Sequence, residues 1–135
     1  MAKVSGLGAT VTVDDATGTP QAVTNDVSDY QFSTPYGVQD TTGVDKSNHE
    51  RLLLLEDFSV TFNGVMDPAA NKSHAVFSGD KRVSRTVAII NETTSSSTMT
   101  AETLFTDYQL KRSATGELTW SAPGVLANGV APAWS

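Results

Sequence analysis

His49 and His74 are the only imidazoles in the chain, and it has no cysteine. This excludes thiolate nucleophiles, thiolate zinc sites and disulfide staples, and leaves little for metal ligation or general acid–base chemistry. His49 stands in His49-Glu50-Arg51, and His74 lies three residues after Asn71, where a short helix is expected. A helical metal site needs a second ligand at i+3 or i+4 on the same face, and His74 has none. We read both histidines as solvent or interface residues. Asp14-Asp15 and Glu56-Asp57 are carboxylate pairs in extended segments. Adjacent strand residues point to opposite faces, so neither pair can act as acid and base on one substrate; turn and rim roles are expected instead. No serine sits in a Gly-x-Ser-x-Gly elbow, and there is no phosphate loop or dinucleotide fingerprint. The sequons Asn71-Lys72-Ser73 and Asn91-Glu92-Thr93 carry no weight without a secretion signal. Neither a cofactor nor an enzymatic activity is expected.

The elements that would position these residues are β-strands. Thr (18), Ser (14) and Val (14) are abundant while charged residues make up only 18%, a mix suited to pleated, half-buried surfaces. At 135 residues the chain is expected to form one domain, 1–135. Fifteen acidic against nine basic residues give a net charge of −6, which argues against a cationic surface that grips phosphates. The longest apolar run, Leu52 to Leu55, is far short of the roughly 20 residues a membrane helix needs, so no membrane partner is expected. Met1-Ala2-Lys3 opens without the apolar segment of a signal peptide, which predicts that the chain stays where it is made.

Ala9 to Asp14 alternates and ends in the turn signal Asp14-Asp15-Ala16-Thr17-Gly18. Strands are expected near Gln21 to Thr24, over Val27 to Phe32, and from Tyr36 to Asp40. In the second of these, Val27, Asp29 and Gln31 would share one face, with Tyr30 and Phe32 on the other. Thr41 to Arg51 is polar and aperiodic, and reads as a long loop. Glu56 to Val65 is the strongest strand, with Phe58, Val60 and Phe62 on one face. Asp67-Pro68 then offers a cap and a first-turn proline, predicting a helix over Ala69 to Phe77 with Ala69, Ser73, Val76 and Phe77 towards a core and Gly79-Asp80 as its stop. Further strands are expected over Val83 to Asn91, Met99 to Lys111 and Glu117 to Ala122.

Two segments offer material for association. The loop 41–51 carries Asp45, Lys46, His49, Glu50 and Arg51, mixed charges that could fix the register of a docked neighbour. The arm 123–135 is apolar and ends near Trp134, a residue type enriched in interface hot spots, although it could equally pack back on its own domain. A small all-β domain also has sheet edges to cover, and identical neighbours can cover them.

From Asp57 the residues read Asp57-Phe58-Ser59-Val60-Thr61-Phe62-Asn63-Gly64-Val65, then Asp67-Pro68-Ala69-Ala70 and Ser73-His74. Later come Thr106-Asp107-Tyr108, Gly116-Glu117-Leu118-Thr119-Trp120-Ser121 and Asn128-Gly129, and earlier Val11-Thr12-Val13-Asp14-Asp15 and Thr42-Gly43. Over most of its length this pattern resembles the major tail tube proteins of long-tailed, siphovirus-type bacteriophages. The stretch beyond Gly129 and the compact helix region depart from the pattern. The resemblance implies an antiparallel β-sandwich or partial barrel with one short flanking helix. It further implies stacked hexameric rings around a lumen in a virion tail, built after synthesis in the host cytoplasm. Tape-measure and tail-terminator proteins would be partners. Double-stranded DNA would pass without specific binding along a wall of carboxylates and hydroxyls, for which Glu92, Thr100 and Glu102 are candidates. Asp45, Lys46, His49, Glu50, Arg51 and Trp134 become candidates for contacts between subunits or rings. The alternatives are another virion component of similar fold (a tail terminator or a capsid decoration protein) or an immunoglobulin-like binding module.

Overall fold

The computed structural model describes residues 3–79 and 82–135. Eleven strands and one α-helix, with a 3-10 turn at Thr24–Asp26 between the second and third strands, follow in the order β1 (Thr10–Asp14), β2 (Pro20–Ala22), β3 (Val27–Ser33), β4 (Tyr36–Asp40), β5 (Arg51–Glu56), β6 (Ser59–Val65), α1 (Ser73–Phe77), β7 (Arg85–Ile90), β8 (Thr98–Phe105), β9 (Gln109–Arg112), β10 (Leu118–Leu126) and β11 (Ala133–Trp134). Nine strands form one antiparallel sheet in the order β2-β1-β7-β8-β10-β6-β3, with β9 added to β10 and β11 to β8. The remaining two, β4 and β5, pair only with each other. The architecture is the expected mainly-β sandwich or open barrel with one small helix.

Alternation decides the core. In β6, Val60 and Phe62 are buried while Ser59 and Val65 face out; β7 buries Val87 and Ile89, and β8 buries Met99, Ala101, Thr103 and Phe105. With Phe58, Trp120 and Ala122 they line the inside of the coiled sheet. Phe77 fills the middle of this lining, its ring centroid 4.9 Å from Trp120, 5.1 Å from Phe105 and 6.3 Å from Phe62. Apolar burial of this kind contributes roughly 1.5–3 kcal/mol for each large side chain.

Several expectations are corrected. The helix begins at Ser73, not Ala69, and Ala69 is exposed. Asp67 does accept a cap-like bond, from the Ala69 N–H at 3.0 Å, but Asn71 adopts φ 63°, which no α-helix can contain. Of the expected stop, Gly79 follows the helix, whereas Asp80 lies outside the described residues. Val27 packs against the core with Tyr30 and Phe32 instead of opposite them, because a bulge between Val27 and Asp29 shifts the alternation by one. The strand expected from Glu56 begins at Ser59, since Glu56 closes β5 and Asp57 turns the chain. The strand expected over Met99 to Lys111 is two, β8 and β9, although Thr106 still donates to the Pro123 carbonyl across the break. Finally, β10 runs through Pro123 to Leu126, so the apolar arm begins inside the sheet.

Gly64 marks the tightest approach. A Cβ there would lie 1.7 Å from the Asp26 carbonyl oxygen and 3.1 Å from the Trp120 indole nitrogen. Backbone cannot move aside as a side-chain tip can, so Gly64→Ala is expected to cost at least the ~1–3 kcal/mol of a typical overpacked core. The measurement is the urea midpoint, which should fall with the denaturant slope unchanged.

Candidate assembly surfaces

The carboxylate pairs have the turn and rim roles expected of them. Asp15 accepts from the Thr17 hydroxyl (2.6 Å), the Thr17 and Thr19 N–H groups and Gln21, contacts that hold its pKa down to about 2. Asp14 accepts from the Thr86 N–H at 3.4 Å, and Asp57 from the Phe58 N–H at 2.8 Å. His49 is exposed, with Nδ1 3.3 Å from Asp40. His74 differs from the expectation: half-buried, it places Nδ1 3.2 Å from the Tyr108 hydroxyl. Among the described residues, no group of three or more His, Cys, Asp or Glu could hold a metal ion, and no helix is long and apolar enough to cross a membrane.

The loop 41–51 proves to be the tip of a hairpin. Thr41 N–H donates to the Glu50 carbonyl, Glu50 N–H to the Thr42 hydroxyl, and Thr42 N–H to Asp40. Lys46 lies 3.8 Å from Glu50, so Lys46, His49 and Glu50 meet charges inside their own tip; Asp45 and Arg51 are exposed. Contacts with Thr42 and then His49 hold the Asp40 carboxyl below its usual range.

The residues that stand out are ones the charge pattern did not single out. On β5, Leu52, Leu53, Leu54 and Leu55 are 54, 63, 48 and 88% exposed, and Val38 and Tyr36 on β4 are exposed beside them. Val38 pairs with Leu53 and Gln39 with Leu52, so the ribbon is apolar on both faces. The body covers neither face, and a two-stranded ribbon alone is marginal in water. The uninterrupted run of four leucines was the available signal: alternation marks a strand buried on one face, a continuous run one to be buried on both.

Trp134 lies on β11, whose register Ala133–Thr100 and Trp134–Met99 ties the end of the chain to β8. Its ring packs on Phe32 (5.8 Å), yet more than half of the residue stays exposed. The three candidate wall residues part company. Thr100 and Glu102 share the outward face of β7 and β8, where Glu102 accepts from the Thr86 hydroxyl at 2.9 Å. Thr10, Thr12 and Thr98 continue that face, and no Lys or Arg stands on the outward positions of β1, β7 or β8. Glu92 does not join it. Buried, it closes the β7–β8 turn by accepting from the N–H groups of Ser97 and Ser95 and from the Ser95 hydroxyl.

No family model and no curated protein matches this sequence. Solved structures do match in fold. A chain from the tail of an empty gene transfer agent particle, computed with helical refinement in C6 symmetry, superposes with a TM-score of 0.73 at 18% identity, covering 98% of this chain and 99% of that one. A chain of the native gene transfer agent virion gives 0.67 at 15% identity, with 98% and 99% covered. At these identities the likeness is one of fold, and it spans essentially the whole of each chain.

The Glu92 cap makes a pH prediction. The N–H groups of Ser97 and Ser95 lower its pKa from 4.5 to about 2, so its stabilisation is complete above about 4.5 and is lost as the pH falls towards 2. Glu92→Gln should lower the melting temperature at pH 7, and the gap from the parent chain should close progressively between pH 4.5 and 2.

Proposed function

We propose that this chain is a structural protein of a phage-like tail, polymerising as stacked, hexameric rings into a tube through which genome DNA is delivered. The observation that carries this reading is the leucine ribbon: an arm apolar on both faces, left uncovered by a body otherwise complete, on a chain whose fold matches chains of an assembled tail. Such an arm is stable only when another surface covers it, and a repeating assembly offers every copy the same cover. Siphovirus-type organisation, location in the virion tail after synthesis in the host cytoplasm, and contacts with tape-measure and tail-terminator proteins belong to the same proposal.

The net charge of −6 fits a channel that passes DNA without holding it. Phosphate binding grows with each Lys or Arg that replaces a counterion. The outward face of β1, β7 and β8, lined by threonines with Glu102 among them, is our candidate for the lumen wall; it would give the polyanion nothing to bind.

Electron microscopy of the concentrated protein tests the reading directly. Rings or long tubes are expected; monomers alone would point to a binding module, and closed species to a terminator or decoration protein. Leu53→Lys with Leu55→Lys should leave the unfolding free energy from urea titration within about 0.5 kcal/mol of the parent's, as for other exposed positions, while abolishing tubes. Glu102→Lys should still form tubes, but tubes that retain DNA in filter binding, with retention falling steeply as salt rises. Tubes unaltered by the leucine changes would defeat the first assignment, and DNA retention unchanged by the lysine the second.

A further inference from the structure

The arm leaves the body at one end of the sheet, and the surface best matched to it lies at the other. β3 ends at Ser33 and β6 begins at Ser59, directly opposite each other in the ladder, so the ribbon 36–56 projects from that end. At the far end of β6 stands Val65, opposite Thr119, and beyond it the β9–β10 hairpin reaches its turn with Arg112 opposite Leu118. This far end exposes Leu110 and Leu118 with Arg112 on one face, and Val65 beside Thr119 and Lys111 on the other. The charges also match. The arm carries four carboxylates (Asp40, Asp45, Glu50, Glu56) against two fixed cations (Lys46, Arg51), whereas the four residues of β9 include Lys111 and Arg112 and no acid.

We infer that the far end of one copy, formed by Val65, Leu110 and Leu118 with Lys111 and Arg112, is the seat for the β4–β5 arm of a second copy. The contact is heterologous: arm and seat lie at opposite ends of the same chain, so each bound copy presents a fresh seat, and such contacts propagate as an open filament. The leucines supply apolar burial, and the opposite charges fix register and exclude an arm-to-arm pairing in which carboxylates would face carboxylates. The rival seat is the groove of about 410 Å³ between β1 and β3, lined by Leu7, Ala9, Val27 and Asp29, which offers no cation to the acidic arm.

This inference rests on the tube reading, and the test separates the two. Because the chain has no cysteine, engineered thiols are the only ones present. Tubes of Leu53→Cys/Leu118→Cys, oxidised with copper phenanthroline, are expected to run on non-reducing gels as a ladder of dimers and higher multimers, with most of the monomer band gone. Leu53→Cys/Leu7→Cys tubes should stay monomeric on the same gel. A ladder from the second pair only, or tubes of the first pair that do not cross-link, overturns the seat while the tube reading stands; a parent chain that forms neither rings nor tubes overturns the reading itself. Should the cysteine pair prevent assembly, an arm-defective chain (Leu53→Lys/Leu55→Lys) and a seat-defective chain (Leu118→Lys/Val65→Lys) are mixed. Each alone should fail to stack, and the mixture should give pairs that end after one contact. A mixture that stays unpaired counts against the seat.

Discussion

Phe77, set against Trp120, Phe105 and Phe62, is the contact on which the rest of the fold depends. Nine strands in one sheet leave an apolar inner face that needs a cover, and the described residues form no second large sheet to supply it. The sheet coils on itself and the single short helix fills what remains open. A helix of five residues is too short to be stable by its own propensity, so its packing has to hold it. Its surroundings are built accordingly. The buried Asp26 accepts from the Ser73 N–H at 3.0 Å, its carboxyl pushed up by burial, and the buried Arg85 donates to the Val76 carbonyl in the last turn. Gly64 lets the backbone of Asp26 approach closely enough for that first bond to exist.

Because this core is complete, the leucine ribbon contributes nothing to it. The separation matters physically: an arm that supported the body could not leave it, whereas one rooted only at Ser33 and Ser59 is free to bury its surface elsewhere. The charged tip is consistent with this division. By pairing Lys46 with Glu50 and His49 with Asp40, it holds the ribbon's turn in shape without drawing on a partner, and leaves recognition to the apolar faces and the net charge.

Much of the body was legible in the sequence because one-sided burial writes itself as alternation: β1, β6 and β7 lie in nearly the expected places, and Phe58, Val60 and Phe62, expected on one face, are buried. Where alternation was shifted or absent, the reading failed for identifiable reasons. The bulge after Val27 changes which side faces the core, and Asn71 at positive φ delays a helix that Asp67-Pro68 announces. Pro123 sits opposite Thr61 within β10, where a proline suggests a strand's end. The candidate site was half legible. The charges at 41–51 form a local pattern visible in the sequence, whereas the leucines next to them carry meaning only once their lack of a partner within the body is known.

Edge strands sharpen the same distinction between surfaces that are finished and surfaces that are not. β3 forms one end of the main sheet for seven residues, but its bulge and its outward Asp29, Gln31 and Ser33 make it a poor template for indiscriminate pairing. β2, at the other end, has only three residues, and β11 covers part of the edge of β8. The body thus blunts the edges through which a β-domain of this size would otherwise aggregate. The ribbon receives no such protection: it has apolar side chains on both faces, no proline between Tyr36 and Glu56, and its only lysine paired at the tip. A fold that blunts the edges at β2 and β3 and leaves the ribbon bare at one end, with Val65, Leu110 and Leu118 exposed at the other, directs association to its two ends. In the assembly proposed here, that makes stacking directional rather than merely adhesive.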